Sequence, residues 1–438
     1  MLTVITIAAF VLLFAGIPMW MIFLALAIVA MAWKGVAMEV VVQGLTGSID
    51  KLVLLAVPGF IFAGGVMGRG GMSRRLVRWI AALIGRVPGG LPLTTIGAAE
   101  LFGAISGSSP ATVAALGKIL YPALIDGGYS QRFALGVITS SGAIAIIIPP
   151  SISMILFAVM TNASIGKLFL AGFLPGIVVG LCAAVYCIWH AKRHGIASGR
   201  TWSAAEIAAS TKDVLWTLGA PALIFGGIYG GFMTPTEAAM AVSVYAVVVC
   251  VFVYRELGWA EVWAITRETA VLSAKIFIIV AASGVFSWVL TAENVPQKVV
   301  GLFAGGQVSP LMILLVINIV LLIVGMFLDP NSAVILFTPL LWPLAQAAGV
   351  DLIHFGIIMT VNLAIGMFSP PFGLNLFVSC SIFKVPSAEV VAGLVPFFVT
   401  YSLALLIITY VPWLSLVLPR LLFGAAGIIV GGGPHYLT

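Results

Sequence analysis

Residues 103–112 read GAISGSSPAT, with apolar sequence on both sides. Three serines, a threonine, a proline and glycine stand where hydrocarbon demands leucine. Lipid cannot hydrogen-bond freed backbone, so such a stretch at membrane depth is buried in protein or lines a wet cavity.

Membrane depth follows from composition. Of 438 residues, 62% are hydrophobic and 8% charged, against roughly a quarter charged in soluble domains. The chain reads as an all-α polytopic membrane protein. Its net charge of +6 comes from 20 Lys and Arg against 14 Asp and Glu. The basic residues gather in short loops, which marks topology rather than binding to nucleic acid. Cys182, Cys187, Cys250 and Cys380 fall in apolar segments without CxxC or Cys/His spacing, which supports neither a zinc site nor a disulfide framework.

Runs long enough to cross a bilayer, about 20 residues each, lie near 2–33, 52–68, 131–160, 168–191, 213–231, 235–254, 270–290, 354–383 and 388–412. The first is read as a retained helix bent at Gly16-Ile17-Pro18, because no basic residue precedes it as in a signal peptide. Two further apolar regions, about 91–120 and 309–347, are interrupted by polar tips, and their short halves suit re-entrant hairpins. Arg69, Arg74, Arg75, Arg78 and Arg86 crowd one connection; Lys192, Arg193, Arg200 and Lys212 crowd another. Both then lie on the cytoplasmic side, with the N-terminus inside and the C-terminus outside.

Internal similarity organises the rest. At an offset of 221, Tyr121-Pro122 meets Trp342-Pro343, Gly128 meets Gly349, Thr139 meets Thr360, Ser141 meets Asn362 and Pro149-Pro150 meets Pro370-Pro371. The tip at Ser108-Ser109 meets Asp329-Pro330 in the same frame. Four crossings and a hairpin per half, separated by one crossing, make the halves inverted. The expected fold is two inverted-topology repeats, each with a re-entrant hairpin and a broken helix. The first repeat spans 1–191, a cytoplasmic loop and connecting helix 192–231, the second repeat 232–420, and a tail 421–438. Inverted repeats with discontinuous helices mark secondary transporters, whose substrate and ion sit near the midplane.

Four interruptions result: ISGSSPAT (105–112) and FLDPNSA (327–333) at the tips, IIIPPSIS (146–153) and GMFSPPFG (366–373) in the helices. A double proline removes two donors and strands carbonyls one turn earlier. The oxygens on offer are neutral: Ser106, Ser108, Ser109, Thr112, Ser151, Asn331, Ser332 and Ser369, plus those carbonyls. Hard cations prefer oxygen, and neutral oxygens suit a reversibly bound monovalent ion. An anionic substrate would meet hydroxyls, amides and helix N-termini. Asp329 serves as helix cap, ion ligand or both. Glu100 at membrane depth is functional, paired or beside a cavity, since an isolated carboxylate there costs a few kcal/mol. Glu237 reads as a cap after Thr234-Pro235, and His354 beside Asp351 as a capping or surface residue. His190 and His194 read as partners of a helix dipole, and Lys118 and Arg132 as topology anchors.

With these parts in place, the sequence resembles the large membrane (M) subunit of tripartite ATP-independent periplasmic (TRAP) transporters of the DctM type. The resemblance is carried by SGSSPATVAALG (106–117), IIPPSI (147–152), GGIYGGFMTPTEAA (226–239), FSWVLTAENVPQ (286–297) and HFGIIMTVNLAIGMFSPPFGLNLFV (354–378). It implies an elevator-type, sodium-coupled importer of a small organic acid such as a C4-dicarboxylate or sialic acid. It also implies a bacterial inner membrane, a small four-helix membrane subunit (Q type) and a periplasmic substrate-binding protein (P type), with Na+ as coupling ion and no cofactor. Carried over by position, Na+ would meet Ser106, Ser108, Ser109, Ile147 and Pro149 at one site, and Gly325, Gly366 and Ser369 at the other. Substrate would meet Ser109, Thr112, Ser151, Asp329, Asn331, Ser332 and Asn362.

Other classes fit less well. An intramembrane protease needs a nucleophile with a base in reach, and no GxSG motif or mid-membrane histidine is seen. A prenyltransferase needs clustered acidic residues, and a channel needs repeated filters or charged rings. An ion-coupled carrier working without a binding protein, driven by Na+ or protons, is the remaining alternative. The inverted topology predicts that cysteines placed in 72–78 and in 293–298 react with an impermeant thiol reagent from opposite sides of the membrane. Labelling from one side would refute it.

Overall fold

The computed structural model describes residues 11–12, 15–196, 203–304 and 309–424. Residues 2–10 and 13–14 of the expected first crossing, residues 197–202 of the 192–231 segment and residues 425–438 of the tail lie outside the described residues. The chain begins with α1 (Met19–Trp33), α2 (Met38–Ile49), α3 (Ala56–Arg69, led by a 3-10 turn at Leu52–Leu55) and α4 (Met72–Ile84). The first hairpin is α5 (Gly90–Ser106) and α6 (Ser109–Asp126), and the first broken helix is α7 (Gln131–Ile144) and α8 (Ile152–Thr161). Next come α9 (Ile165–Arg193), α10 (Ala204–Tyr229), α11 (Pro235–Val247, extended by a π-turn to Val253) and α12 (Trp259–Ala292). After α13 (Val295–Ala304), the second hairpin is α14 (Pro310–Phe327) and α15 (Pro330–Ala347), and the second broken helix is α16 (Leu352–Gly366) and α17 (Leu374–Phe383). Helices α18 (Ser387–Tyr410) and α19 (Trp413–Phe423) end the described chain.

Among the described residues six helices are long and apolar enough to cross a membrane: 52–69, 165–193, 235–253, 259–292, 310–327 and 387–410. The runs 131–160 and 354–383 are not among them, because each stops at its double proline and resumes after Ser151 or Gly373. Both Pro-Pro bonds are cis. The Arg-rich connection expected as a loop is instead α4. Arg74, Arg75 and Arg78 share one of its faces, while Met72, Leu76, Val77 and Ile80 on the other are buried. That is an amphipathic helix. Arg75 locks it down, meeting Asp213 at 3.0 Å and Glu256 at 2.7 Å, with its guanidinium 3.6 Å from the Tyr254 ring centre. Burial works against the Glu256 charge, but Arg75 and Arg74 outweigh it and hold the carboxyl below its ordinary range. The helix α2 was likewise not anticipated.

Helix starts use hydroxyl and carboxylate caps, which satisfy otherwise orphaned N–H groups. Ser130, Ser164, Ser203 and Ser309 cap α7, α9, α10 and α14, and Thr234 with Glu237 forms the capping box of α11. Asp351 caps α16. His354 is not at the surface: it is 2% exposed, with Nδ1 3.2 Å from Ser415 Oγ and Nε2 3.1 Å from the Thr409 carbonyl. Arg132 pairs with Glu389 at 3.0 Å.

Packing separates a rim from a centre. Helix α12 lies against α1, α2 and α3, and α3 lies along α11. At the centre are α7 and α16, buried on every side over 133–144 and 353–366. Helix α7 packs on α18, and α16 on α14. A helix buried all round needs close neighbours. At α7 and α18 the backbones touch: a Cβ at Gly136 would fall on the Gly393 carbonyl, and one at Gly393 on that of Arg132. Gly136→Ala should therefore destabilise the fold by about 1–3 kcal/mol, measured by thermal unfolding in detergent. An unchanged midpoint would mean that the helices can part at no cost.

Candidate functional site

The two hairpins and the two broken helices interlock across the halves of the chain. Helix α6 of the first hairpin packs on α17 of the second broken helix, and α15 of the second hairpin packs on α8 of the first. At the first crossing, Asn375 Nδ2 donates to Ser109 Oγ at 2.7 Å and to the Thr139 carbonyl at 3.1 Å. At the second, Ser153 Oγ donates to Asn331 Oδ1 at 3.2 Å. All four side chains sit in the first turn of a helix. Each tip also rests on its own half's break. Gly107 adopts a positive φ of 57° against the Pro150 carbonyl, where a Cβ would collide. In the other half, the Gly325 backbone abuts Gly366 so closely that a Cβ on Gly366 would lie 2.5 Å from it.

The result is a cavity of about 960 Å³, whose lining includes Ser106, Ser108, Ser109, Ser153, Asp329 and Asn331. Four helix N-termini open onto it, at Ser109-Pro110, Ile152-Ser153, Pro330-Asn331 and Leu374. Each carries partial positive charge, and at two of them part of the N–H set is taken by the Ser151 and Asp329 caps. The opposing carbonyl ends, after Ile144 and Gly366, lie behind the tips. There Ile147, Pro149 and Ser369 stand in the breaks, Gly366 ends α16 and Gly325 lies near the end of α14, and none of the five lines the cavity. Ser369 is fully buried and donates to the Ile365 carbonyl at 2.7 Å.

Several expected substrate contacts are engaged elsewhere. Thr112 bonds the Ser108 carbonyl at 2.8 Å and Ser106 Oγ at 3.2 Å, and Ser151 caps α8. Ser332 is turned onto Asp329 at 2.5 Å. Asn362 is buried, donating to Asn318 Oδ1 at 2.7 Å and to the Ile358 carbonyl at 2.8 Å. None of these four lines the cavity in this conformation: Thr112, Ser151 and Ser332 are bonded within the protein, while the buried Asn362 Oδ1 has no partner among the described residues. Asp329 does line it, and its carboxylate accepts from the Asn331 and Ser332 N–H groups at 3.1 Å each. Ser108 is different. Its carbonyl is used, yet among the described residues its hydroxyl has no hydrogen bond, and it faces the cavity. Glu100 does not line the cavity; it fits against Gly180 of α9, where a Cβ would meet its carboxylate. Lys118, read from sequence as a topology anchor, also lines the cavity.

Sequence reasoning missed Asn375, Ser153 and Asn318. In the repeat frame Asn375 corresponds to Met154, so the symmetry gave no sign of it. The one available signal was position, two residues after Gly373 at the start of a helix. Asn375→Ala removes the partner of a buried hydroxyl and of a buried carbonyl. That predicts a loss of about 1–3 kcal/mol as a lower thermal midpoint, and no loss would mean that the crossing is not a structural clasp.

The sequence profile of the family described as "Tripartite ATP-independent periplasmic transporter, DctM component" matches residues 6–414. The chain is 40% identical over 371 residues to the C4-dicarboxylate TRAP transporter large permease protein DctM of Pseudomonas aeruginosa, covering 85% of this chain and 87% of that protein. It is 39% identical over 403 residues to the isethionate TRAP transporter permease protein DctMQ of Oleidesulfovibrio alaskensis, covering 91% of this chain and 63% of that protein. Among solved structures, the YdaH transporter of Alcanivorax borkumensis shares the fold, with a TM-score of 0.59 at 14% identity over 85% of this chain and 87% of that one.

Proposed function

Since the chain belongs to the DctM family of tripartite ATP-independent periplasmic transporter components, as a large permease subunit, we propose that it imports a small organic acid on a Na+ gradient. A periplasmic binding protein delivers the acid, a small four-helix subunit completes the membrane part, and the assembly sits in the inner membrane. One relative joins both membrane parts by name, DctMQ. Of the relatives' named cargoes, C4-dicarboxylates and isethionate are anions, while ectoine is a zwitterion that carries a carboxylate.

The observation that carries this reading is the convergence of four helix N-termini on one cavity, a disposition that favours an anion. Behind them, the carbonyl ends of α7 and α16 and the hydroxyls of Ser106, Ser108 and Ser369 offer neutral oxygen to Na+. Bound sodium would offset the negative ends of the helices and hold the tips for substrate, which couples the two ligands. Because each tip is hydrogen-bonded to the opposite broken helix, tips and breaks would travel as one body, in an elevator motion against the rim of α1, α2, α3, α11 and α12. Arg69 and Arg74 line the same cavity, so its mouth lies on the cytoplasmic side by the basic-loop rule. In this state the site faces inward.

The Ser108 hydroxyl supplies the test, since it makes no hydrogen bond among the described residues. Thermal unfolding in NaCl against KCl at matched ionic strength should give a saturable, sodium-specific rise, about 1.4 kcal/mol per site at ten times the dissociation constant. Ser108→Ala should keep its stability in KCl and need several-fold more sodium. Equal shifts in both salts would remove sodium from the reading, and an unaltered sodium titration in the variant would remove Ser108 from the site.

A further inference from the structure

The cavity carries charge that the ion and substrate sites do not use. One face of α12 lines it through Glu261, Ile265, Glu268, Leu272, Lys275 and Ile279, which is helical spacing. Glu268 is held by Arg69 at 2.5 Å, and Glu261 accepts from the Gly258 N–H at 2.9 Å. Asp329, the other lining carboxylate, is occupied by its own helix. Lys275 stands two turns beyond Glu268, about 10 Å along the axis, at the middle of α12. It is exposed to the cavity and has no ion pair or hydrogen bond among the described residues. A bare ammonium at such a place is costly unless it faces water or an anion.

A second lysine lines the cavity from α6. From the first tip, α6 lines the cavity through Ser109, Pro110, Ala111, Ala114, Ala115 and Lys118. The track is one of small residues about 14 Å long, and it ends at an ammonium that is likewise exposed and without an ion pair among the described residues. Every lining carboxylate is therefore bonded, while two ammonium groups are not.

We propose that Lys118 and Lys275 form a second anion-binding subsite, apart from the tips, that receives the carboxylate or sulfonate of the substrate as it leaves along α6. This rests on the transport reading above, and it names the site's cargo as a species with net negative charge rather than a zwitterion. Lysine suits the task as a flexible point charge with three donors, holding an anion by attraction without a fixed geometry. Release then proceeds from helix dipoles to a wet, positive vestibule instead of directly to bulk water.

The test needs no knowledge of the substrate. In a background with the four native cysteines replaced by serine, Ala111→Cys puts a thiol on the track. Its reaction rates with the anionic sulfonatoethyl methanethiosulfonate and the cationic trimethylammonioethyl analogue are compared. The parent should favour the anion, and Lys118→Gln with Lys275→Gln should lower the anion-to-cation rate ratio by about tenfold, as expected for field focusing in a cleft. Lys275→Arg should keep it, and each single Gln variant, which guards against misfolding of the double, should lower it by less. A ratio unchanged within about twofold in all Gln variants overturns the subsite. Sodium-dependent thermal shifts on the same proteins separate the two proposals. An intact sodium response with an unchanged ratio rejects the lysines alone, and a lysine-dependent ratio without any sodium response rejects sodium coupling while upholding the subsite.

Discussion

Backbone groups freed at membrane depth have no water to turn to, and the architecture follows from where they find partners. Eight helix ends meet inside this molecule, four stops and four starts. The starts at Ile152 and Pro330 are closed by Ser151 and Asp329, and the Ser109 and Asn375 side chains close the remaining crossing on each other. At the stops the Ile144, Ile365 and Gly366 carbonyls accept from Ile147, Phe368 and Ser369, while the buried Ser141 hydroxyl and Asn362 Oδ1 have no partner among the described residues. On the sodium reading proposed above, such unpartnered oxygens are what would remain for the ion.

Charge is excluded from the same region for a related reason. Between 133 and 159 every residue is buried and none is charged, and between 353 and 369 the one ionisable group is His354, bonded at both nitrogens. A permanent carboxylate there would bind a monovalent cation too tightly to release it and would face a desolvation cost whenever it did. Neutral oxygen avoids both. Formal charges are displaced to the cavity's outer walls, on α3, α6 and α12, where water reaches them.

How much of this was legible beforehand depended on which physical signal each element carries. Interruption of an apolar run by Ser, Gly and Pro is a local signal, so both tips and both breaks were placed within a few residues, and the hairpin regions 91–120 and 309–347 correspond to helices ending at Asp126 and Ala347. Contacts between halves are not local. A repeat frame states which residues are equivalent, not which touch, and the real crossing joins Ser109 to Asn375 and Ser153 to Asn331, pairs that the frame does not relate. Amphipathic helices were hidden by the opposite fault. The arginines of α4 read as a loop because their charge outweighed the 3.6-residue spacing of Met72, Leu76 and Ile80. Asn362 was named from the family resemblance, and only the fold shows that its Nδ2 is taken by Asn318 and Ile358 while its buried Oδ1 is left without a partner among the described residues.

The two breaks, alike in sequence, differ in surroundings. Ile148, Pro149, Pro150 and Ser151 are wholly enclosed, whereas Pro370, Pro371 and Phe372 are exposed. Composition cannot cause this, since the double prolines coincide in the repeat frame. The cavity opens beside the first tip, α3 and α12, so a molecule with two related halves and one mouth must hold them inequivalently. On the inverted arrangement proposed above, the two environments would be exchanged when the mouth moves to the other face: the second break would become enclosed and the first uncovered. Each half would then enter a surrounding of the kind the other occupies here, which is how a pair of equal parts could offer two states of similar free energy without a separate hinge for each.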